Sequence, residues 1–502
     1  MKSKHLLTAI AAGLALNSGA SFALAPNVTP DIEIWMSGAT AQDGNIGQLF
    51  QELCKPGTLD TFRDGVTGTT TGAAHSAYFC NLDTAKVTGL SQTEPKVLFH
   101  KTSSSREGSV TVGGSGIGVN PVLLKQQVDA MVISNGNCQA PANGESFYRC
   151  RINQPGDTIR QVPDAGVSDV NPELFVGPNT PANTAPVDAA QVARLLEVKS
   201  GGTLVFNTPV TLDLRNTLQK AQIFTGQLAA DCEGQETEAC MPSLSKNQLA
   251  ALFAGSIGKW DTIKVVSKDG VSRPLTDFGS PGDNKVHICR RVDGSGTQAS
   301  LNAKILNAPC TPGAKNPAAT SNDAAGPIVR LNPGSGDVDR CLDDHDKGAN
   351  SGGLNPTNTK AWAIGIQTTE RNTKNTLQYR YIKHDGQAPT IENAAAGRYG
   401  FAVEVTYQWL KSGGPTGDKA KIINKIATDA GKPSIIANNN KAFAYSWGQG
   451  GYLAVSASGH PVSENGVLDV NAPVTPYTHA PDGLLLDNCR VPVIDDNKAN
   501  RL

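Results

Sequence analysis

Arg290-Arg291-Val292-Asp293-Gly294-Ser295-Gly296-Thr297 follows a short apolar strand, His287 to Cys289, and leads into Thr297 to Leu306, where Leu301, Ile305 and Leu306 recur at helical spacing. Strand, small-residue loop and helix in that order place hydroxyls and backbone N–H groups at the positive end of a helix dipole, a place to hold an oxyanion. Arg291 adds a planar, permanently charged fork beside them.

The same grammar recurs upstream. Ile32 to Trp35 reads as a strand, Ser37-Gly38-Ala39-Thr40 as a turn, and Ile46, Leu49, Phe50 and Leu53 as one helix face. Val97 to Phe99 leads to Gly113-Gly114-Ser115-Gly116, with Asn120-Pro121 opening a helix through Leu123, Leu124 and Val128. A third instance centres on Ser168-Asp169, with Asn171-Pro172 opening the next helix. Open α/β sheets bind ligands beyond the carboxyl ends of their strands at such turns.

Further on, Leu204 to Phe206 reads as a buried strand, and Leu214, Leu218 and Ile223 as a helix. Ser245 and Gln248 form a capping box before Leu249, Leu252 and Phe253, with Gly255 as the stop. Ala361 to Ile366 predicts a buried strand, and Val403 to Leu410 a strand or helix edge. The Gly-, Pro-, Asn- and Asp-rich segment Ala308 to Gly353 predicts an irregular insertion.

Lys2 and Lys4, the apolar run Leu6 to Leu16 and Ala23-Leu24-Ala25 have the pattern of a cleavable secretory signal, residues 1–25, giving a periplasmic or secreted protein. Ten cysteines fit an oxidising compartment. Spacing suggests bridges 54–80, 138–150, 232–240 and 289–310, leaving 341 with 489, although sequence does not fix connectivity. A structural role outweighs zinc, because thiols and histidines are not at ligand spacing. A net charge of −1 and 5% aromatic residues give no footprint for nucleic acid, and no cofactor is expected. At 502 residues the chain is long enough for two lobes plus insertions.

Taken together, Arg290 to Thr297, Ala251 to Trp260, Gly166-Val167-Ser168-Asp169, Ser37 to Thr40, Ala363 to Ile366, Gly386 to Asn393 and Gly397-Arg398-Tyr399-Gly400 resemble the phosphate-binding periplasmic proteins of ABC phosphate importers. The resemblance spans most of the chain after the leader, which is much longer than a typical member. It implies an α/β fold of the type 2 periplasmic-binding-protein kind: two lobes, a hinge and a cleft, with disulfide-pinned loop insertions. The expected division is 26–208 for the first part of lobe 1, 209–385 for lobe 2, and 386–502 for the return to lobe 1 and the C-terminal segment.

Carried over by position, Thr40 and Ser115 donate to the guest from the first lobe, and Asp169 accepts a proton from it. Arg291, Ser295, Gly296 and Thr297 hold it from the second lobe, with Asp293 orienting Arg291. Ala41 stands where the family often has an aromatic residue, and the loop of Ser115 aligns in more than one way. Plainer roles compete: Asp169, Ser295 and Thr297 as helix caps, Arg291 in a surface ion pair, Thr40 and Ser115 as small turn residues.

The implied function is an exported, monomeric solute-binding protein that captures phosphate or a similar oxyanion and has the membrane subunits of an ABC importer as partners. It is not an enzyme on this reading. The alternative is a secreted phosphatase or phosphodiesterase on the same scaffold, and a third reading is an adhesive component that kept the fold without its ligand. His345 and His384-Asp385 accompany neither a Gly-x-Ser-x-Gly elbow nor a His-Glu-x-x-His helix. The acidic run Asp337, Asp339, Asp343, Asp344 and Asp346 lacks the glycine and terminal glutamate of an EF-hand loop and reads as a solvated loop.

Overall fold

Three parallel neighbours form the centre of the larger sheet: Ile32–Gly38 lies between Lys96–Thr102 and Ala165–Ser168. These are the strands of the three expected strand-to-helix units, and because they run parallel their carboxyl ends lie at one sheet edge. A parallel strand is covered on both faces, which accounts for the near-complete burial of Ile34 to Gly38. The structure is a computed structural model describing residues 26–65, 74–103, 122–142, 144–181, 184–456, 460–463 and 467–494. The expected leader and Ser115 lie outside the described residues.

Beyond Ala165–Ser168 the same sheet continues with Ala402–Leu410, then Leu196–Asn207 and Tyr452–Val455. Ala402–Leu410 runs antiparallel to both its neighbours. A second sheet is built on His287–Arg291, flanked in parallel by Ile328–Asn332 and Ala363–Gly365, with Val210–Thr211 and Tyr379–Arg380 beyond. The chain therefore passes from the large sheet to the small one after Asn207, touches the large sheet again where Gln367–Thr368 pairs with Phe206–Asn207, and returns to it between Arg380 and Ala402. Fully buried Asn207 pins both passages: its Nδ2 donates to the Ile382 carbonyl at 2.8 Å and its Oδ1 accepts from the Ile382 N–H at 3.2 Å. His384 is held there too, 2.7 Å from the Thr208 hydroxyl, and burial pulls its pKa down to about 3.

The helices follow local rules. Asp43–Leu53 buries Ile46, Leu49, Phe50 and Leu53 along one stripe, each worth about 1.5–3 kcal/mol relative to exposure. Lys246–Phe253 starts with both hydrogen bonds of the Ser245/Gln248 capping box, and Gly255 takes a left-handed φ of 72° just past its end. Gly38 is needed for a different reason. Its φ is 131°, and a Cβ there would sit 1.9 Å from the Val167 carbonyl oxygen, so only glycine lets the first turn lie against the neighbouring strand.

Several expectations are corrected. The segment 308–353 contains the strand Ile328–Asn332, the neighbour of the arginine-bearing strand, and the helix Ser335–Lys347. Its acidic residues sit on that helix with separate partners: Asp337 pairs with Arg340, Asp339 with Arg371, Asp343 with Lys347, and Asp346 accepts from the Asp213 N–H. Val128 opens a strand, Val128–Met131, instead of closing a helix. Asn171-Pro172 starts only a single tight turn, Pro172–Leu174. Bridges 54–80, 138–150 and 232–240 form as spacing suggested, but the others are Cys289–Cys341 and Cys310–Cys489. Helix Ser335–Lys347 folds back over strand His287–Arg291, which puts Cys341 on Cys289 and frees Cys310 for the distant Cys489.

Candidate functional site

Strand His287–Arg291 ends on Arg291, whose side chain is fully buried. Two of its nitrogens are fixed by backbone carbonyls, Nε to Asn332 at 3.1 Å and Nη2 to Pro333 at 2.6 Å. Nη1 is thereby aimed at three hydroxyls: Thr40 at 3.3 Å, Thr297 at 3.3 Å and Ser335 at 3.2 Å. Burial pulls the pKa of Arg291 down to about 10, with Asp169 opposing, so the guanidinium stays cationic at neutral pH.

Thr40 comes from the other sheet, in the turn Thr40–Gln42 that leads into helix Asp43–Leu53, and its hydroxyl is also 3.0 Å from that of Ser335. Asp169, just after strand Ala165–Ser168, is fully buried, and its Oδ2 accepts from the Thr297 hydroxyl at 2.8 Å. Its Oδ1 has no partner among the described residues. Burial pushes the Asp169 pKa up to about 6, against the opposing pull of the Thr297 hydrogen bond and of Arg291. An unpartnered buried carboxylate oxygen is costly unless something donates to it.

Helix Gly296–Lys304 begins at this point. Ser295 caps it, its hydroxyl accepting from the Gln298 N–H at 3.3 Å, and the Gln298 side chain accepts from the Arg291 N–H at 3.0 Å. Gly296 packs directly against Asp169 of the larger sheet. A Cβ there would lie 2.8 Å from the backbone nitrogen of Asp169 and 3.0 Å from its Cβ. Gly296→Ala should therefore push Thr297 away from Asp169 and cost about 1–3 kcal/mol, read as a lower unfolding midpoint in denaturant; an unchanged midpoint would show that the contact is dispensable.

Thr40, Asp169, Arg291, Gly296 and Thr297 thus converge from both sheets, with Ser295 as the cap behind them. Asp293 does not orient Arg291. It pairs with Arg290, because successive strand residues point to opposite faces and Arg290 leaves on the side away from Arg291, where it also donates to the Ala318 carbonyl at 2.7 Å.

Two residues were missed. Ser335 starts the helix inside the segment expected to be irregular; Val338, Cys341, Leu342 and His345 at helical spacing were its signal. Lys101, fully buried, donates to the carbonyls of Gly38 and Ala39 at 3.0 and 3.1 Å, to Asp43 at 3.1 Å and to the Ser103 hydroxyl at 2.7 Å. Burial lowers its pKa and Asp43 opposes that. Its signal was a lysine in phase with Val97 and Phe99 on one strand face.

No protein-family model and no curated protein matches the chain. Among solved structures it is similar to a putative phosphate ABC transporter substrate-binding protein with bound phosphate from Clostridium perfringens. The identity is 11%, covering 81% of this chain and 97% of that one, with a TM-score of 0.40. It is also similar to PstS from Borrelia burgdorferi (10% identity, 82% and 97% covered, TM-score 0.32). A third is a possible phosphate-binding protein from Planctomyces limnophilus (10% identity, 79% and 85% covered, TM-score 0.30).

Proposed function

We propose that the chain is an exported solute-binding protein that captures inorganic phosphate, or a closely similar oxyanion, in a cleft between two lobes, 26–208 with 386–502 on one side and 209–385 on the other. Delivery to the membrane subunits of an ABC importer is the downstream step. One observation carries the reading: a fully buried arginine with one nitrogen turned to three hydroxyls, beside a buried carboxylate with an oxygen lacking a donor, on elements of two different sheets. A dehydrated oxyanion needs such donors, since stripping its water without replacement costs several kcal/mol. Thr40, Thr297, Ser335, Arg291 and the first N–H groups of helix Gly296–Lys304 are the donors, and Ser115 joins them by its place in the sequence.

Asp169 gives selectivity. A protonated phosphate oxygen donates to the unpartnered Oδ1, whereas sulfate has no proton to give and meets a like charge. Calorimetric titration with phosphate, sulfate and arsenate tests the reading; phosphate and arsenate should bind and sulfate should not. Asp169→Asn should narrow the phosphate-to-sulfate preference by at least roughly tenfold, since about 1.4 kcal/mol of lost discrimination suffices. An unchanged ratio would refute the role.

The same substitution has a stability consequence of definite sign. The folded pKa of Asp169, about 6, lies above the usual aspartate value, so ionising it costs stability as pH rises between the two. Asp169→Asn should stabilise the ligand-free protein at neutral pH by on the order of 2 kcal/mol and have little effect in acid, measurable as unfolding midpoints at the two pH values. The chain is read as a carrier and not a catalyst, so turnover of a chromogenic phosphomonoester, abolished by Arg291→Ala, would overturn that part.

A further inference from the structure

Glu370 follows the strand Gln367–Thr368, which pairs with Phe206–Asn207 where the chain leaves the large sheet. Its Oε2 is buried and has no partner among the described residues. That oxygen abuts the first turn of helix Asp43–Leu53: a Cβ on Gly44 would lie 3.9 Å from it. Thr40 and Asp43 belong to the same corner. The adjacent Arg371 does not neutralise Glu370, because its guanidinium is bound to Asp339, with Nε 3.0 Å from the carboxylate. Tyr445, which also acts on Glu370, turns its hydroxyl to the carbonyls of Thr369 and Arg371 at 2.7 and 2.6 Å.

The charges around this corner balance only if Glu370 is neutral. Arg291 and Lys101 are positive; Asp43 and Asp169 are negative; Arg371 and Asp339 cancel, as do Arg340 and Asp337. An ionised Glu370 adds a third negative charge beside Asp43 and Asp169, the two carboxylates that act on Arg291, before any anion arrives. We propose that Glu370 sets the protonation state in which the cleft accepts its guest: as a neutral acid it admits an oxyanion, and as a carboxylate it repels one. This rests on the oxyanion-binding reading above. The direction of the titration agrees: burial pushes the Glu370 pKa up to about 8, Asp43 and Asp169 push the same way, and Arg371 opposes. The requirement is therefore met at neutral pH and lost in mild alkali.

The test is calorimetry of the whole chain with inorganic phosphate at about pH 8 and about pH 9.5, a range in which phosphate itself stays predominantly the dianion. Affinity should fall roughly fifteenfold across it if only the neutral acid permits binding. At the upper pH, titrations in two buffers of different ionisation enthalpy should reveal uptake of close to one proton per phosphate bound. In Glu370→Gln the ratio of the two affinities should approach one, and the proton uptake should vanish. Equal affinities with no proton uptake in the unmodified chain would overturn the proposal. So would a decline that persists undiminished in Glu370→Gln, which would assign it to deprotonation of Lys101 or Arg291. A folded chain that binds no oxyanion at any pH would instead defeat the underlying reading and the proposal with it.

Discussion

Arg291→Ala should abolish phosphate binding while leaving the chain folded. Truncating one partner of a buried, hydrogen-bonded charge network costs about 2–5 kcal/mol, a loss of roughly thirtyfold to several thousandfold in affinity. Arg291 is at the upper end, because it is the cation that meets hydroxyls from both sheets: Thr40 on one side, Thr297 and Ser335 on the other. Arg291→Lys should also bind poorly. An ammonium cannot span the Asn332 and Pro333 carbonyls and still present a donor to Thr40. There is a second signature. Arg291 holds the Asp169 pKa down, so its removal lets that carboxyl rise further and stay protonated nearer neutrality, visible as a shifted carboxyl titration by isotope-edited NMR. Phosphate affinity within about threefold of the unmodified chain in Arg291→Ala would remove the basis of the proposed function.

What was legible in the sequence was local. The strand before Arg291 and the helix after Ser295 are written in adjacent residues, as are the Ser245/Gln248 capping box and the apolar stripe Ile46, Leu49, Phe50 and Leu53. The three disulfides with short separations, 26, 12 and 8 residues, follow from proximity along the chain. What was not legible depends on tertiary placement. Strand Ile328–Asn332 is only five residues long in a stretch dense with breakers, and it is a strand because His287–Arg291 lies beside it. Cys289–Cys341 follows from the packing of helix Ser335–Lys347 on strand His287–Arg291. Asp293 was assigned to the wrong arginine because adjacent arginines look equivalent in sequence and leave opposite faces of a strand. Lys101 and Glu370 acquire their character only by burial beside Asp43.

Loss of the bridge Cys310–Cys489 should have the largest effect on stability of any substitution outside the cleft. It closes a loop of 179 residues. On chain-entropy grounds a loop of that length confers on the order of 5 kcal/mol by constraining the unfolded chain, more than any of the shorter bridges. The bridge also joins two structural units. Cys310 lies just beyond helix Gly296–Lys304, whereas the segment around Cys489 is fixed to the large sheet: the Asn488 side chain donates to the side-chain Oδ1 of Asn171 and to the backbone carbonyl of Glu404, and His479 lies 3.2 Å from the Glu404 carboxylate. Lys304, at the end of that helix, meets His479 at 2.6 Å. Cutting the bridge releases the covalent part of this strap and leaves the polar contacts to hold it alone. Cys310→Ser with Cys489→Ser should therefore lower the unfolding free energy by about 3–5 kcal/mol in denaturant titration, whereas the same change at Cys232 and Cys240, closing only 8 residues, should cost less. Equal losses for the two pairs would mean that the long bridge acts through native-state contacts and not through the unfolded chain.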